Sequence, residues 1–389
     1  MTVVAVLSII GFVGGAALLV YAYWGYRFLL RCLRGKMQRP TGGEDANMAP
    51  RITVLLTVHN EERNIKERLQ NLVAQDYPSD RVEIVVCSDG SADGTESLVE
   101  EFVSAHEIRV VRTSRVGKSQ AQNAAMPQTR GDIVVLTDAE TRFDKGFLKA
   151  VAACFADREV GCVTAHVRFI ERSGAIAQNQ GRYWAYELSL RELESDAGIL
   201  AVASGQAMAF RRELFRPLPV FAGDDCIIPL DVVSQGKRVV HCREALAYDS
   251  MENEGGKEFR TRVRMTMRNW TGTWRYPALL NPFKHAGYAF ALWSHKLLRW
   301  LGWVGLLLMA AGTIGLIATR TMPVASFGFL LVVAAACIGW WAEERRIKLP
   351  VANTIYSFFL ANTAFMVGVL RALAGRRIVI YRSGSLKAH

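Results

Sequence analysis

The stretch GDIVVLTDAETRFD, Gly131–Asp144, places two carboxylates directly after a run of β-branched and apolar residues. A run this apolar predicts a strand that is buried on both faces. Because side chains alternate along a strand, Asp138 and Glu140 should lie on the same side at its exit. Like charges there are costly unless a positive group offsets them, and that group is either a Lys or Arg side chain or a divalent cation.

Strand and helix patterns alternate along this part of the chain. The strand patterns are RITVLLTVH (51–59), VEIVVCSDG (82–90), IRVVRT (108–113) and DIVVLTDAE (132–140). Helix patterns lie between them at 60–75, 93–105 and 117–126. Strands separated by helices of this length predict βαβ units and a mostly parallel sheet.

Polar residues close three of these four strands. They are His59-Asn60-Glu61, Ser88-Asp89-Gly90 and Asp138-Ala139-Glu140. Ligands of parallel sheets bind beyond the carboxyl ends of the strands, so these endings predict one shared site. Asp89 taken alone is more typical of an ordinary turn, but beside the other acids it is a candidate for binding a nucleotide's ring or ribose.

Charged residues elsewhere in the soluble region are further candidates. Lys118 follows a turn glycine at a predicted helix start, which suits an anionic group, although a single lysine is often simply solvated. Asp224-Asp225 precede a helix predicted from Cys226 to Gln235, where one acid would cap the helix and the other would act as a general base. A stripe formed by Arg260, Arg264 and Arg268 is either a solvated or lipid-facing surface or a clamp for a diphosphate.

Four segments without charged side chains suggest membrane spans. They are residues 2–26, 301–319, 323–341 and 351–370, each near the ~20 residues needed to cross a bilayer. The first is expected to be a retained anchor rather than a cleaved signal peptide, because it lacks a positive n-region. Basic residues follow it directly and place the next domain in the cytoplasm. The segment SHKLLRW (294–300) resembles an interfacial helix, and 351–370 is either a full crossing or re-entrant.

The net charge of +11 does not indicate a nucleic-acid-binding protein. Much of the excess lies beside the apolar segments, where it would meet anionic lipid head groups. No nucleic-acid module, P-loop, GxGxxG or Cys/His zinc spacing is visible in the soluble region, and the seven cysteines form no CxxC pair. Membrane lipids are therefore the expected partner, and nucleic acid is not.

Six motifs occur in one order over about residues 50–240. They are TVHNEERNI, VVCSDGSADGT, GKSQAQN, TDAE, SGQAMAFRR and GDD. In this order they resemble the family 2 glycosyltransferases, and the flanking apolar segments resemble the integral-membrane branch of that family. The resemblance implies an α/β fold, namely a GT-A (Rossmann-like) cytosolic domain with flanking transmembrane helices. It also implies a nucleotide-sugar donor.

The resemblance assigns roles to individual residues. Those expected at the nucleotide are Glu61, Asp89, Lys118 and Asp138. Asp138 and Glu140 match the DxD element that holds Mg²⁺ or Mn²⁺ in the family, with Glu in place of the commoner Asp. Asp225 matches the catalytic base of an inverting enzyme. The residues expected at the acceptor or the diphosphate are Gln206, Asp224, Arg264, Arg268 and Trp270.

The family's processive polysaccharide synthases carry a QxxRW motif that is altered in this chain. The corresponding stretch is RMTMRNW, residues 264–270, which lacks the Gln and has one residue between Arg and Trp. This difference favours addition of one sugar to a membrane-held acceptor, such as a polyprenyl-diphosphate-linked glycan or another glycolipid. The alternatives are a processive synthase that secretes a polymer and, in another class, a non-catalytic membrane scaffold that retains a nucleotide-binding fold.

The expected organisation combines these inferences. It comprises a transmembrane helix (1–26), a basic linker (27–49), a catalytic domain (50–255), Arg-rich and interfacial helices (256–300), membrane helices (301–370) and a basic tail (371–389). The protein is therefore expected to be integral to a bacterial-type inner or plasma membrane, with its catalytic domain in the cytosol.

Overall fold

A computed structural model describes residues 2–33, 49–103, 107–170, 175–250, 255–321, 323–345 and 347–377. Most of the linker expected at 27–49 and of the tail expected at 371–389 falls outside these residues. Within them the strands are β1 (Ile52–Val58), β2 (Val82–Asp89), β3 (Ile108–Thr113), β4 (Ile133–Thr137), β5 (Arg142–Phe143), β6 (Val160–Ile170), β7 (Ala207–Arg211) and β8 (Arg238–Ser250).

The helices are distributed between the sheet region and the two apolar ends of the chain. They are α1 (Val3–Val20), α2 (Tyr26–Leu33), α3 (Ile65–Val73), α4 (Thr95–Val103), α5 (Lys118–Ala125), α6 (Phe147–Cys154), α7 (Ala175–Asp196), α8 (Asp224–Ser234), α9 (Gly255–Thr273), α10 (Ala286–Ala291), α11 (Leu298–Trp300), α12 (Gly302–Ala318), α13 (Pro323–Glu344) and α14 (Pro350–Leu373). Short π-helical segments join α1 to α2 (Tyr21–Gly25) and α10 to α11 (Leu292–Leu297).

All eight strands belong to one sheet, in the order β3-β2-β1-β4-β7-β6-β8-β5. Strands β1 to β4 are mutually parallel, whereas β7 runs antiparallel to β4 and β6. The four strands and three helices predicted from the pattern at 51–140 are confirmed, with ends that differ by up to five residues. Because β2 and β4 flank β1 on opposite sides, a crevice forms beyond the carboxyl end of β1, where such sheets bind ligands.

The sheet is buried on both faces, as the apolar runs predicted. Leu55 and Leu136 face a core that includes side chains of α5 and α8. Their neighbours Leu56 and Val135 face the opposite core, which includes side chains of α3 and α6. Each fully buried aliphatic side chain contributes about 1.5–3 kcal/mol relative to an exposed one, so both layers hold the strand ends in place.

The start of β4 packs against β1 more closely than a side chain allows. A Cβ at Gly131 would lie 2.4 Å from the backbone nitrogen of Thr53 and 2.7 Å from its Oγ1. The backbone nitrogen of Gly131 donates to the same Oγ1 at 2.8 Å, and Thr53 also hydrogen bonds to the buried carboxylate of Glu83 on β2. Glycine at this position therefore lets three adjacent strands share one hydrogen-bond network.

The helices expected to cross a membrane are present. Among the residues that the structure describes, three helical runs are long and apolar enough to do so: Val3–Leu33, Val324–Glu344 and Pro350–Leu373. A fourth candidate is the pair Ala286–Trp300 and Gly302–Ala318, whose two parts meet at 53°. The first run continues past the expected end at residue 26, and α14 is one continuous helix of 24 residues.

Two apolar helices from opposite ends of the chain are in backbone contact. A Cβ at Gly15 of α1 would lie 2.4 Å from the carbonyl oxygen of Gly305 in α12. One at Gly312 would lie 2.7 Å from the carbonyl oxygen of Ser8. Small residues at such a crossing allow two helices to approach closely where the hydrophobic effect gives little drive for association.

We expect Gly131→Ala to destabilise the sheet domain by about 1–3 kcal/mol, because the added methyl group forces β4 away from Thr53. Thermal unfolding followed by circular dichroism in detergent would measure the loss. Gly146→Ala is the matched control, since a Cβ there meets only Asp144 Oδ1 at 3.8 Å. Equal stability of the two variants would contradict the packing argument.

Candidate active site

The carboxyl ends of β1, β2 and β4 bring the predicted polar residues to one edge of the sheet. Val58 pairs with Ser88 of β2, and Leu56 pairs with Thr137 of β4. Asp89 is the last residue of β2, and Asp138 directly follows β4. The acids predicted to converge therefore occupy neighbouring positions.

Lys118 provides positive charge between the acids at this edge. Its Nζ lies 2.7 Å from Asp138 Oδ1 and 3.3 Å from Asp224 Oδ2. Burial by itself would lower the pKa of Lys118, but the two carboxylates raise it well above its usual value. A lysine at the start of α5 is therefore one of the positive groups that the sequence required beside Asp138.

Arg68 is a second cation near the end of β4, and sequence reasoning missed it. It is fully buried, its Nη2 donates to Thr137 Oγ1 at 2.6 Å, and its guanidinium lies 4.1 Å from the centre of the Phe143 ring. Burial lowers its pKa to about 9, so it remains charged near neutral pH. In the sequence Arg68 looks like an ordinary polar position of α3, and only the helix packing reveals it.

Glu61 and Glu140 lie on the more open side of the same edge. Glu61 accepts a hydrogen bond from Asn64 Nδ2 at 2.8 Å, and Glu140 is exposed. Burial raises the pKa of Glu61, the Asn64 bond opposes this rise, and the charges of Glu140 and Asp138 add to it. This side therefore carries negative charge that Lys118 does not fully balance.

The donor set at this edge fits a hard divalent cation. Carboxylate oxygens are the ligands that Mg²⁺ prefers, and they also suit Mn²⁺. The pKa of Glu61 is raised first by burial and then by the charges of Glu140 and Asp138. Asp138 and Glu140 remain the residues that are predicted to hold such an ion.

Asp89 is buried and already binds the turn between β3 and α5. Its Oδ1 accepts from the backbone nitrogen of Val116 at 2.7 Å and from Thr113 Oγ1 at 2.9 Å. Its Oδ2 accepts from the backbone nitrogen of Gly117 at 2.8 Å. These contacts shape the turn that presents Lys118, in addition to any contact with a nucleotide.

Asp224 and Asp225 occupy the first turn of α8, which corrects the expected helix start at Cys226. Gly223 is the N-cap residue, and Asp224 Oδ1 accepts a hydrogen bond from the backbone nitrogen of Asp225 at 3.1 Å within the first turn. The prediction placed the acids before the helix because Asp is a frequent cap. Here the extended backbone of Gly223 fills that position instead, and both carboxylates line a cavity.

The pKa values of these two acids shift in opposite directions. Burial opposes ionisation of Asp224, but Lys118, a 2.7 Å hydrogen bond from Gln122 Nε2 and Arg268 together lower its pKa. Burial raises the pKa of Asp225, and the negative charge of Asp224 raises it further. Neighbouring carboxyl groups with divergent pKa values are typical of acid–base sites, and Asp225 is the stronger base of the pair.

The cavity extends from this edge toward the apolar helices and has a volume of about 540 Å³. Of the predicted site residues, those that line it are Lys118, Asp138, Gln206, Asp224, Asp225, Arg264 and Arg268. On the opposite side it is lined by helical residues that include Lys296, Trp300 and Phe365. Because Phe365 belongs to α14, one wall of the cavity comes from a candidate membrane span.

Two other predicted residues, Arg260 and Trp270, do not line the cavity. Arg260 is exposed and does not line the cavity, whereas Arg264 and Arg268 of the same predicted stripe do. Trp270 is buried in the core, with its ring centre 6.2 Å from that of Trp300. Arg268 donates to the carbonyl oxygen of Ala222 at 2.6 Å, so it also holds the loop that precedes α8.

A buried charge network on α7 was also missed by the sequence analysis. Glu187 accepts from Arg299 Nη1 at 2.9 Å and from Lys296 Nζ at 3.0 Å, and His295 Nε2 lies 3.0 Å from it. Burial opposes its ionisation, yet these three cations hold the pKa of Glu187 well below its usual value. The basic residues of 294–300 were expected at an interface, but His295 and Arg299 are buried against α7.

A family profile described as "Glycosyltransferase like family 2" matches residues 50–272. Among curated proteins, the chain is 33% identical over 137 residues to a probable glycosyltransferase, YdaM, of Bacillus subtilis (strain 168), which covers 34% of this chain and 33% of that protein. It is 30% identical over 148 residues to a beta-monoglucosyldiacylglycerol synthase of Synechocystis sp. (strain ATCC 27184 / PCC 6803 / Kazusa), covering 37% of this chain and 29% of that protein. The matched stretch therefore spans only about a third of these relatives.

A solved structure shares the fold over nearly the whole chain. It is the mannosyltransferase PcManGT from Pyrobaculum calidifontis in complex with GDP-Man and Mn²⁺. The TM-score is 0.72 and the identity 22%, over 96% of this chain and 100% of that one. At this identity the likeness establishes the GT-A fold alone.

We expect Glu187→Gln to destabilise the protein by about 3–5 kcal/mol, because the substitution removes the buried negative charge that Arg299 and Lys296 contact. The midpoint of thermal unfolding in detergent should fall by several degrees or more. Glu213→Gln, which changes an exposed acid, should leave the midpoint unchanged. An unaltered midpoint for Glu187→Gln would mean that the network contributes little to stability.

Proposed function

Because this chain belongs to glycosyltransferase-like family 2, we propose that it transfers one sugar from a nucleotide-sugar donor to a membrane-held acceptor with inversion at the anomeric carbon. A UDP-sugar is the first donor to test, and a polyprenyl-diphosphate-linked glycan or another glycolipid is the proposed acceptor. The cavity carries the proposal. It joins the Asp138 edge to Phe365 of a candidate membrane span, so an acceptor could enter from the lipid side.

The donor would occupy the crevice beyond β1, β2 and β4. Glu61 and Asp89 are proposed near the base and ribose, with Lys118 at the phosphates. Asp138 and Glu140 would hold Mg²⁺ or Mn²⁺, which when bound would offset charge on the departing nucleoside diphosphate. Arginine's forked guanidinium suits phosphate, and three such groups on α9, those of Arg262, Arg264 and Arg268, line the cavity.

Asp225 is proposed as the general base. Its raised pKa makes it a better proton acceptor than Asp224, and it lies in the cavity that would receive the acceptor. The acceptor hydroxyl would attack the anomeric carbon as Asp225 takes its proton, and the bond to the diphosphate would break on the opposite side. Gln206 lies in the same cavity and would contact the acceptor.

Helix α9 supports the membrane-held acceptor because it contacts both parts of the molecule. Arg268 hydrogen bonds to the loop before α8, and the Cβ of Thr266 lies 2.7 Å from where a Cβ of Gly368 in α14 would be. We therefore propose an integral membrane protein whose catalytic domain, 50–255, lies in the cytosol between the N-terminal helix and the C-terminal helices.

We expect Asp225→Asn to lower the transfer rate by about 10²–10⁴-fold, because the amide cannot accept the acceptor's proton. Binding of the donor in the presence of Mn²⁺, measured by calorimetry, should change little. Asp144→Asn, at an exposed site, serves as the control. A transfer rate of Asp225→Asn within tenfold of the wild-type rate would show that Asp225 is not the general base.

Glu140→Ala should weaken binding of a nucleoside diphosphate only when Mn²⁺ or Mg²⁺ is present, since its carboxylate is proposed to act through the cation. Titrations with and without metal, followed by calorimetry, would separate the two conditions. Weaker binding in metal-free buffer as well would indicate a folding defect rather than loss of a metal ligand.

The product distinguishes single transfer from processive synthesis. Purified protein in nanodiscs would be incubated with Mn²⁺ and radiolabelled nucleotide-sugars, then extracted with organic solvent and resolved on a gel. We expect label in one discrete lipid-soluble species. A high-molecular-weight ladder would instead support a processive synthase, and absence of transfer with every donor would favour the scaffold.

A further inference from the structure

A second cluster of metal-ligating side chains lies outside the proposed catalytic cavity. It consists of His166 on β6, Glu192 on α7 and His241 on β8, and one ligand atom from each lies within 4.8 Å of the other two. None of the three lines the cavity, and the proposed transfer reaction does not use them. We propose that this cluster is a separate transition-metal site, which we expect to bind Zn²⁺.

The three ligand atoms are spaced as a tetrahedral zinc ion requires. His241 Nε2 lies 3.3 Å from His166 Nδ1, and Glu192 Oε1 lies 3.7 Å and 3.9 Å from those two nitrogens. Zinc bonds of about 2.0–2.1 Å to nitrogen and oxygen place tetrahedral ligand atoms about 3.3–3.4 Å apart. Shifts of a few tenths of an ångström would therefore complete three of four positions.

The backbone brings the two histidines to the same face of the sheet. His241 lies next to Thr164 in the parallel pairing of β6 with β8, and His166 is two residues further along β6. The register shifts between Ala165 and His166, an irregularity of the kind that re-aims side chains beside functional sites. The ligands thus come from three elements whose relative positions a bound ion would fix.

The surroundings orient the ligands and leave a route for the ion. The side chain of His241 is almost fully buried. Its Nδ1 has no hydrogen-bond partner among the described residues. The polar contact of this ring is therefore made by Nε2, which faces His166 and Glu192. Arg243 Nη2 lies 3.4 Å from Glu192 Oε2, which leaves Oε1 directed at the histidines. His166 and Glu192 remain partly exposed, at 17% and 26%, so an ion can enter from solvent and a water can take the fourth position.

The ligand set separates this site from the one at Asp138 and Glu140. Two imidazoles and a carboxylate suit zinc, copper or nickel, whereas carboxylates alone suit magnesium and manganese. On α7, Glu192 directly follows Arg191, which lines the cavity and pairs with Glu187. A metal ion bound to Glu192 would therefore fix the helix that forms part of the cavity wall.

The test uses the full chain with its affinity tag removed, in detergent, after treatment with EDTA. An Asp138→Asn/Glu140→Gln background prevents binding at the carboxylate edge from contributing. Zn²⁺ would be titrated by calorimetry, and Co²⁺ would be added to detect the visible absorption of a tetrahedral site. We expect one Zn²⁺ per chain and a tetrahedral Co²⁺ spectrum in this background.

Substitution of a ligand should weaken Zn²⁺ binding by at least about 100-fold, because changing even an outer-shell partner costs about 10–100-fold. His166→Gln and His241→Gln are the principal variants, and His285→Gln, an exposed histidine, is the matched control. Glu192→Gln tests the site at its most exposed ligand if a histidine variant fails to fold. Zn²⁺ should also raise the unfolding temperature of the background protein but not that of the ligand variants.

Two results would overturn the proposal. One is the absence of stoichiometric Zn²⁺ binding in the Asp138→Asn/Glu140→Gln background. The other is equal Zn²⁺ affinity in the ligand variants and in His285→Gln. In either case the two histidines and Glu192 would form a hydrogen-bonded cluster without a metal ion.

Discussion

The concentration of negative charge at one edge of the sheet is the constraint on which the site depends. The parallel strand β4 brings Asp138 to this edge, the first turn of α8 brings Asp224, and Lys118 lies between them. Arg68 adds a buried charge next to the end of β4. On the inner side, Lys118, Gln122 and Arg268 outweigh burial and lower the pKa of Asp224. Further out, burial and the charges of Glu140 and Asp138 raise the pKa of Glu61. Negative charge is therefore offset more fully on the buried side of the edge than on the open side.

The sheet and the meeting of its polar strand ends could be predicted because both follow from local patterns. Apolar runs separated by helices of suitable length predict parallel strands, and the carboxyl ends of parallel strands meet at one edge. The order of the six motifs resembles that of family 2 glycosyltransferases and so predicted the GT-A fold. The contacts that each acid makes within the edge could not be predicted from the sequence. Whether Asp89 faces a ligand or its own chain depends on a turn that begins more than twenty residues later.

Residues whose partners are distant in sequence could not be identified in advance. Glu187 interacts with a segment beyond residue 290, and nothing in either stretch specifies the other. The basic and aromatic spacing of SHKLLRW is typical of an interfacial helix, so the missing information was the presence of a buried acid on α7. Trp270 shows the same limit, since its motif suggested an acceptor contact and its packing places it in the core. His166 and His241 likewise meet only through the pairing of β6 with β8.

The glycine contact between α1 and α12 has a consequence for the order in which the protein is made. Gly15 leaves the ribosome early, whereas Gly305, whose carbonyl oxygen it approaches, is synthesised only after the whole sheet domain. Domains generally fold as units during synthesis, the earlier ones first. The glycine face of α1 must therefore stay uncovered by α12 while the sheet domain folds, and a factor that shields this face would assist biogenesis of the protein more than its finished stability.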